Sequence, residues 1–251
     1  MIGIFDSGVG GLTVASAIRT CAPNADFVYF ADLANMPFGK KSERELLNIT
    51  KNAIQFLINY GATEIVAACN SVSMIASEIR GQILFPLIEM SEPTTNYFVG
   101  REMDAILVAA TEATVRSRMY EQAFADRGMM IHSIVISELA SAIERNATKE
   151  ELRKIIQPTI EYAIALKCKT LIFGCTQFPF ARSVFETLFF ERAYPIHLFD
   201  PADAIAKEVL NQFSVKGKGE QEFFTSKASV IFDEHVRTRF GSSQFIQCVL
   251  N

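Results

Sequence analysis

The sequence predicts an α/β protein of two similar lobes, each with a mainly parallel sheet flanked by helices and with the active site in the cleft between them. Three observations support this fold class. Strand and helix patterns alternate along the chain, which is typical of parallel sheets with right-handed crossovers. Several strand patterns are continuous apolar runs, such as residues 65–68, as expected of strands buried on both faces. Related segments recur after about a hundred residues, which favours two lobes of similar strand–helix order.

Hydrophobic periodicity predicts the individual elements. Strands are expected at residues 2–5, 27–31, 64–68, 84–88, 105–109, 131–136, 170–174, 196–199 and near 229–232. Helices are expected at residues 11–20, 42–59, 71–80, 112–127, 137–145, 149–166, 178–189, 202–213 and 233–240. The hydrophilic stretch 216–221 contains two glycines and three charged residues, and it is expected to form an exposed turn.

Composition excludes several classes of function. Apolar residues make up 49% of the 251 residues and charged residues 21%, as in ordinary globular domains. A net charge of −4 without a basic run argues against nucleic-acid binding, and no apolar stretch is long enough to span a membrane. Five cysteines without regular spacing and no signal peptide favour free thiols in a reducing cytoplasm. The three histidines lack metal-ligand spacing, so no metal site is expected.

Two of the cysteines occur in matching contexts. Cys69 ends the run Glu64-Ile-Val-Ala-Ala and is followed by asparagine, and Cys175 ends the run Thr170-Leu-Ile-Phe-Gly and is followed by threonine. Open α/β folds place their ligands at the carboxyl ends of buried parallel strands. A lone cysteine in such a place is usually a small buried residue, and Cys21, Cys168 and Cys248 are interpreted in that way. Two thiols in matching positions predict a pair of opposed acid/base groups.

The turn Asp6-Ser7-Gly8-Val9-Gly10-Gly11 follows the first predicted strand. Its glycines let the backbone approach a bound group closely. A dinucleotide site is not expected, because the glycine spacing differs from Gly-x-Gly-x-x-Gly and the Asp6 carboxylate would repel a pyrophosphate. A carboxylate near a thiol can instead orient the thiol or accept its proton. The alternative is that Asp6 only caps a tight turn between strand and helix.

Five motifs give the chain a resemblance to a known family. They are Phe5-Asp6-Ser7-Gly8-Val9-Gly10-Gly11, Met36-Pro37-Phe38-Gly39, Ala68-Cys69-Asn70-Ser71, Thr111-Glu112-Ala113-Thr114 and Gly174-Cys175-Thr176-Gln177-Phe178-Pro179. Through them the chain resembles the glutamate racemases, cofactor-independent members of the aspartate/glutamate racemase superfamily, nearly from end to end. The first and last motifs are the most specific. The resemblance implies a first lobe of residues 1–95 and 207–251, with Asp6 and Cys69, and a second lobe of residues 96–206, with Glu144 and Cys175.

The resemblance also implies a two-base racemisation without a cofactor. One thiolate removes the α-proton while the opposite thiol protonates the other face of the carbanion, with Cys69 acting on the D-isomer and Cys175 on the L-isomer. Asp6 would partner the first thiol and Glu144 the second. The amino acid, a small-molecule partner, would be held by Ser7, Phe38, Gly39, Asn70, Ser71, Thr111, Thr114, Thr176 and Gln177. A homodimer is compatible with the sequence.

Three residues depart from the family pattern. Phe38 stands in place of the usual tyrosine, Ser71 in place of threonine, and Gln177 in place of the histidine two residues after the second cysteine. Glutamine can orient a thiol but cannot take its proton near neutral pH. Three functions therefore stay open: a glutamate racemase that supplies D-glutamate for peptidoglycan, a racemase of aspartate or another amino acid, and a weakly active homologue with a binding or regulatory role.

Overall fold

The structure is a computed structural model that describes residues 1–101 and 105–241 and the backbone of residues 245–247. Cys248 lies outside the described residues. In chain order the strands are β1 (Ile2–Asp6), β2 (Phe27–Ala31), β3 (Glu64–Ala67), β4 (Leu87–Ile88), β5 (Ile106–Ala110), β6 (His132–Val135), β7 (Thr170–Gly174), β8 (His197–Phe199), β9 (Gln221–Thr225) and β10 (Phe245–Gln247).

Helices connect and cover these strands. In chain order they are α1 (Leu12–Cys21), α2 (Glu43–Asn59), α3 (Asn70–Ser73), α4 (Ala76–Arg80), α5 (Ser91–Phe98), α6 (Glu112–Ser117), α7 (Met119–Ala125), α8 (Leu139–Glu144), α9 (Lys149–Ala165), α10 (Arg182–Glu191), α11 (Ala202–Gln212) and α12 (Val230–Phe240). Two short 3-10 helices cover Phe38–Lys40 and Phe178–Ala181. None of the helices along the described residues combines the length and the apolar character that a membrane crossing requires.

The strands form two parallel sheets. The larger sheet has the order β10-β9-β2-β1-β3-β4 and the smaller sheet the order β6-β5-β7-β8. Every strand pair in both sheets is parallel. The order β2-β1-β3-β4 of the larger sheet therefore recurs as β6-β5-β7-β8 in the smaller one. The two sheets flanked by helices confirm the predicted α/β fold class, and the shared order confirms the similarity of the two halves.

Burial on both faces explains the apolar strand sequences. In β2, Phe27 and Tyr29 pack into a core shared with α1, α11 and α12, whereas Val28 and Phe30 pack on the opposite face against α2. The smaller sheet is likewise covered on both faces, with α8, α9 and α10 on one side and a cluster around Phe124 on the other. Each fully buried side chain of this size contributes about 1.5–3 kcal/mol relative to an exposed one.

The strand order fixes where the ligand site lies. The chain leaves β1 for β2 on one side and reaches β3 on the other, so the carboxyl ends of β1 and β3 flank a topological switch point. The ends of β5 and β7 flank the equivalent point in the smaller sheet. Ligands of open α/β sheets bind at such points. Asp6 and Cys69 stand at the first switch point, and Thr111 and Cys175 stand at the second.

Several predicted elements are wrong or need new boundaries. The strand expected near 229–232 is the start of α12, because the Ser229 hydroxyl accepts a hydrogen bond from the Phe232 N–H and caps a helix. The strand that joins the larger sheet at this end is β9, which pairs with β2. The helix expected over 112–127 is broken at Arg118, whose φ of 55° ends α6. The helix expected over 71–80 is divided into α3 and α4, and the strand expected over 84–88 is reduced to β4.

The predicted lobe boundaries fall inside helices. The boundary between residues 95 and 96 lies within α5, and the boundary between 206 and 207 lies within α11. Helix α11 packs along α1 beside the larger sheet. The division into residues 1–95 plus 207–251 and residues 96–206 stays a prediction.

Candidate active site

The two motif cysteines occupy equivalent positions. Cys69 follows β3 and precedes the first turn of α3, and Cys175 directly follows β7 and precedes the 3-10 helix of Phe178–Ala181. Both side chains are buried. Backbone N–H groups point towards each sulfur, that of Ser71 towards Cys69 and those of Gln177 and Phe178 towards Cys175. These donors stabilise a thiolate, because a hydrogen bond to the charged form favours that form.

Burial nevertheless keeps both thiols protonated. The pKa of Cys175 is raised from an ordinary value of 9.0 to about 12, mainly by burial and also by the Asp6 carboxylate, although the N–H groups of Gln177 and Phe178 oppose the rise. The pKa of Cys69 is also raised, first by burial and then by Asp6. A charge on Cys175 adds to the rise at Cys69, so the two sulfurs lie within electrostatic range of each other. Formation of a thiolate therefore requires help from a bound cation or a base.

Asp6 lies at the end of β1 beside Cys69. Its Oδ2 accepts a hydrogen bond of 2.6 Å from the Gly11 N–H, and its Oδ1 is buried without a hydrogen-bond partner among the described residues. Burial raises the pKa of this carboxyl, and the N–H of Gly11 and the thiol of Cys69 are among the groups that oppose the rise. The Cys69 thiol donates at 3.9 Å to the Ser7 hydroxyl. An unpaired buried carboxylate oxygen is suited to receive a proton or an ammonium group.

Glu144 and Gln177 form the corresponding pair beside Cys175. Glu144 ends α8, and the Gln177 side-chain amide donates a hydrogen bond to its Oε1. Burial and the charge of Asp6 raise the pKa of Glu144 to about 7, and the hydrogen bond from Gln177 opposes this rise. The sequence shows no histidine at this position, but Glu144 titrates in the same range as a histidine would.

The glycine turn after β1 packs against the turn that carries Cys175. A Cβ atom on Gly10 would lie 2.8 Å from the carbonyl carbon of Thr176 and 2.9 Å from the backbone nitrogen of Gln177. A Cβ atom on Gly8 would lie 2.7 Å from Oε1 of Glu144. Only glycine permits such approaches. The two sheets thus face each other through their switch points.

A cleft of about 390 Å³ opens between these turns. Nine of the thirteen predicted site residues line it: Ser7, Phe38, Gly39, Ser71, Thr111, Glu144, Cys175, Thr176 and Gln177. The other four, Asp6, Cys69, Asn70 and Thr114, are buried and belong to the same sequence motifs as the lining residues Ser7, Ser71 and Thr111. The Thr114 hydroxyl is hydrogen bonded to that of Thr111 at 3.0 Å.

Sequence reasoning missed several residues of the cleft. They are Met36, Pro37, Lys40, Glu112, Ser137, Ala140, Ser141 and Arg145. Met36, Pro37, Lys40 and Glu112 lie in or next to the quoted motifs, so motif proximity could have found them. The residues of α8 and its approach carry no pattern that points to a site. Within the described part of the chain, no group of three or more metal-ligating side chains is present.

Comparison with known proteins decides the family. The model of the Asp/Glu/Hydantoin racemase family matches residues 13–209. The chain belongs to this family. It is 30% identical over 255 residues to the glutamate racemase of Aquifex aeolicus, covering 98% of this chain and 99% of that protein. It is 34% identical over 215 residues to the glutamate racemase of Desulforudis audaxviator, covering 82% of this chain and 76% of that protein. Membership of the racemase family confirms the prediction of an amino-acid racemase.

A solved structure of the family shares the fold. The crystal structure of glutamate racemase from Francisella tularensis, in complex with D-glutamate, superposes with a TM-score of 0.87 at 23% sequence identity. The match covers 100% of this chain and 97% of that one. The described residues therefore share the fold of this solved structure.

Proposed function

We propose that this chain is a glutamate racemase that interconverts L- and D-glutamate without a cofactor, using Cys69 and Cys175 as opposed acid/base groups. The observation that carries the proposal is the delivery of two buried thiols by equivalent strands of two sheets that face one cleft. A racemase must act on both faces of one carbon, and two opposed groups meet that need. The curated relatives named above are glutamate racemases.

In the L-to-D direction, the thiolate of Cys175 removes the α-proton and the thiol of Cys69 donates its proton to the opposite face of the carbanion. The reverse direction starts at Cys69. Because both thiols are protonated in the free enzyme, a proton must leave one of them when the substrate binds. We assign Asp6, which interacts with the Cys69 thiol, as the acceptor of that proton. We assign Glu144, which carries the hydrogen bond from Gln177 and acts electrostatically on Cys175, as the acceptor on the other side. Exclusion of water from the buried site strengthens these electrostatic interactions.

The polarity of the cleft supports an acidic amino acid as substrate. Asp6 and Glu144 attract an ammonium group and repel carboxylates. The hydroxyls of Ser71 and Thr111 both lie near Gly39, where a Cβ atom would be 3.3 Å from Thr111 Oγ1 and 3.7 Å from Ser71 Oγ. This hydroxyl cluster supplies donors for a carboxylate. The exposed Lys40, which lines the same cleft, adds a positive charge for a second one.

The biological role follows from the product. D-Glutamate is an unusual isomer that bacterial peptidoglycan contains, so the enzyme would supply the cell wall from the cytoplasm. Aspartate or another amino acid as substrate, and a weakly active regulatory homologue, remain as outcomes of the test below.

The test measures circular dichroism of L- and D-glutamate, and in parallel of L- and D-aspartate, after addition of the purified protein. Loss of optical activity with glutamate alone is expected. Loss of optical activity with aspartate alone would show that aspartate, not glutamate, is the substrate. No loss with any amino acid would favour the regulatory alternative.

The two-thiol mechanism is tested with Cys69→Ser and Cys175→Ser. Both substitutions are expected to abolish racemisation, because a serine hydroxyl is a much weaker acid than a thiol. Cys168→Ser is the matched control: it replaces another buried free cysteine, placed just before the amino end of β7. Racemisation at the wild-type rate by both cleft variants would refute the mechanism.

A further inference from the structure

A buried hydrogen bond joins the second half of the chain to the cysteine motif of the first. The hydroxyl of Tyr120, on α7, donates to Oδ1 of Asn70 at 2.5 Å. Asn70 follows Cys69 at the end of β3 in the larger sheet, whereas α7 lies between β5 and β6 of the smaller sheet. Tyr120 and Asn70 are only 1% and 3% exposed. Water therefore cannot replace either partner without cost.

The other end of the Asn70 amide is unsatisfied. Its Nδ2 is buried and has no hydrogen-bond partner among the described residues. Buried amide donors are almost always paired in proteins, and leaving one unpaired is costly. The neighbours of Asn70 in the chain are Cys69 and the cleft-lining Ser71, so the unpaired donor belongs to the segment that borders the cleft. A substrate carboxylate, which only accepts hydrogen bonds, is a suitable partner.

We propose that Tyr120 is a positioning residue that fixes the orientation of the Asn70 amide, so that Nδ2 faces the substrate carboxylate. A tyrosine hydroxyl has one proton to donate, and burial raises the pKa of Tyr120, so the hydroxyl stays protonated. Oδ1 of Asn70 is thereby held at Tyr120 and Nδ2 is turned away from it. A rotated amide would present Oδ1 to the carboxylate and repel it. The inference rests on the proposed function, in which Asn70 holds the substrate.

The experiment is a double-mutant cycle of Tyr120→Phe and Asn70→Ala, with kcat and KM for both glutamate isomers. Asn70→Ala is expected to lower kcat/KM by about 10- to 100-fold, the usual scale for a lost hydrogen bond to a charged group. Tyr120→Phe keeps the ring and removes only the hydroxyl. It is expected to lower kcat/KM by about 10-fold, mainly through KM. In the Asn70→Ala background it is expected to have no further effect, because Tyr120 acts through Asn70.

Tyr194→Phe is the matched control, because it removes a tyrosine hydroxyl that donates to the carbonyl of Cys168 at 2.9 Å, away from the cleft. Both tyrosine variants can lower Tm, but only Tyr120→Phe should raise KM. Independent, multiplying effects of Tyr120→Phe and Asn70→Ala would overturn the inference, as would an unchanged KM in folded Tyr120→Phe. If Asn70→Ala itself leaves kcat/KM unchanged, the substrate-holding role of Asn70 fails, and the inference fails with it. If kcat/KM falls in Asn70→Ala but not in Tyr120→Phe, the positioning role of Tyr120 is refuted while the role of Asn70 stands.

Discussion

Replacing Glu144 by glutamine should change how stability depends on pH. Burial and the charge of Asp6 raise the pKa of this carboxyl from an ordinary 4.5 to about 7. Between these pH values the folded protein binds a proton at Glu144 that the unfolded chain has released. The resulting stabilisation is complete below pH 4.5 and is lost as the pH rises through 7. Glu144→Gln has no proton to lose and should not show this loss.

The magnitude follows from the shift. One pKa unit corresponds to about 1.36 kcal/mol, so the whole shift would be worth about 3 kcal/mol for a fully shielded group. Glu144 is only partly buried, and solvent screening reduces this to about 1–2 kcal/mol. The free energy of unfolding of the wild type, minus that of Glu144→Gln, should fall by this amount between pH 4.5 and pH 8.

Urea unfolding followed by circular dichroism at pH 4.5, 5.5, 6.5 and 8 measures this difference. Glu138→Gln is the matched control, since Glu138 is an exposed carboxylate at the start of the same helix, without a side-chain capping hydrogen bond. Its stability should follow that of the wild type across the range. A difference between wild type and Glu144→Gln that is independent of pH would refute the assignment of a raised pKa to Glu144.

Two further substitutions test the surroundings of Cys175. Gln177→His should raise kcat/KM equally in both directions, because the two isomers have equal free energy, and should shift the pH–rate profile towards lower pH. Identical profiles from pH 6 to 10 would show that the substitution is neutral. Gly10→Ala should cost about 1–3 kcal/mol and lower kcat/KM, since its Cβ would press on the backbone of Thr176. Gly81→Ala, where a Cβ has ordinary contacts at 3.5 Å or more, should change neither quantity; equal effects would contradict the close-packing argument.

The sequence predicted most of the fold because burial leaves a direct pattern in parallel strands. After their first residues, Glu64 and Thr170, the strands β3 and β7 contain no polar side chain, and their recurrence predicted two similar halves. The elements near the end of the chain, β9 and α12, were harder to predict. Ser229 precedes the apolar residues Val230 and Ile231, which resemble a strand, but its side chain caps a helix. Strand β9 begins with the polar pair Gln221 and Glu222, so its start was included in the predicted turn.

The site was predictable where it follows strand ends and unpredictable where distant residues meet. Asp6 and Cys175 stand at strand ends, and their neighbourhood follows from topology alone. Tyr120, which donates a hydrogen bond to Asn70, lies just after the break between α6 and α7. Arg118 adopts a left-handed conformation there, although it is neither glycine nor asparagine. The sequence does not predict the break at Arg118, because the spacing of apolar residues before and after it fits one continuous helix.

The repeated strand order has a consequence for the origin of a two-sided catalyst. Each half of the chain contains a parallel sheet whose two faces are covered by helices. Two identical copies of such a layer, related by a two-fold axis, would place one thiol on each side of a shared ligand. A rotation cannot interconvert the L- and D-isomers of a substrate, but it would force the two thiols to have identical surroundings. Joining the copies in one chain releases that constraint. One side can then keep Asp6 while the other acquires Glu144 and Gln177, so that the two thiols lie in different surroundings.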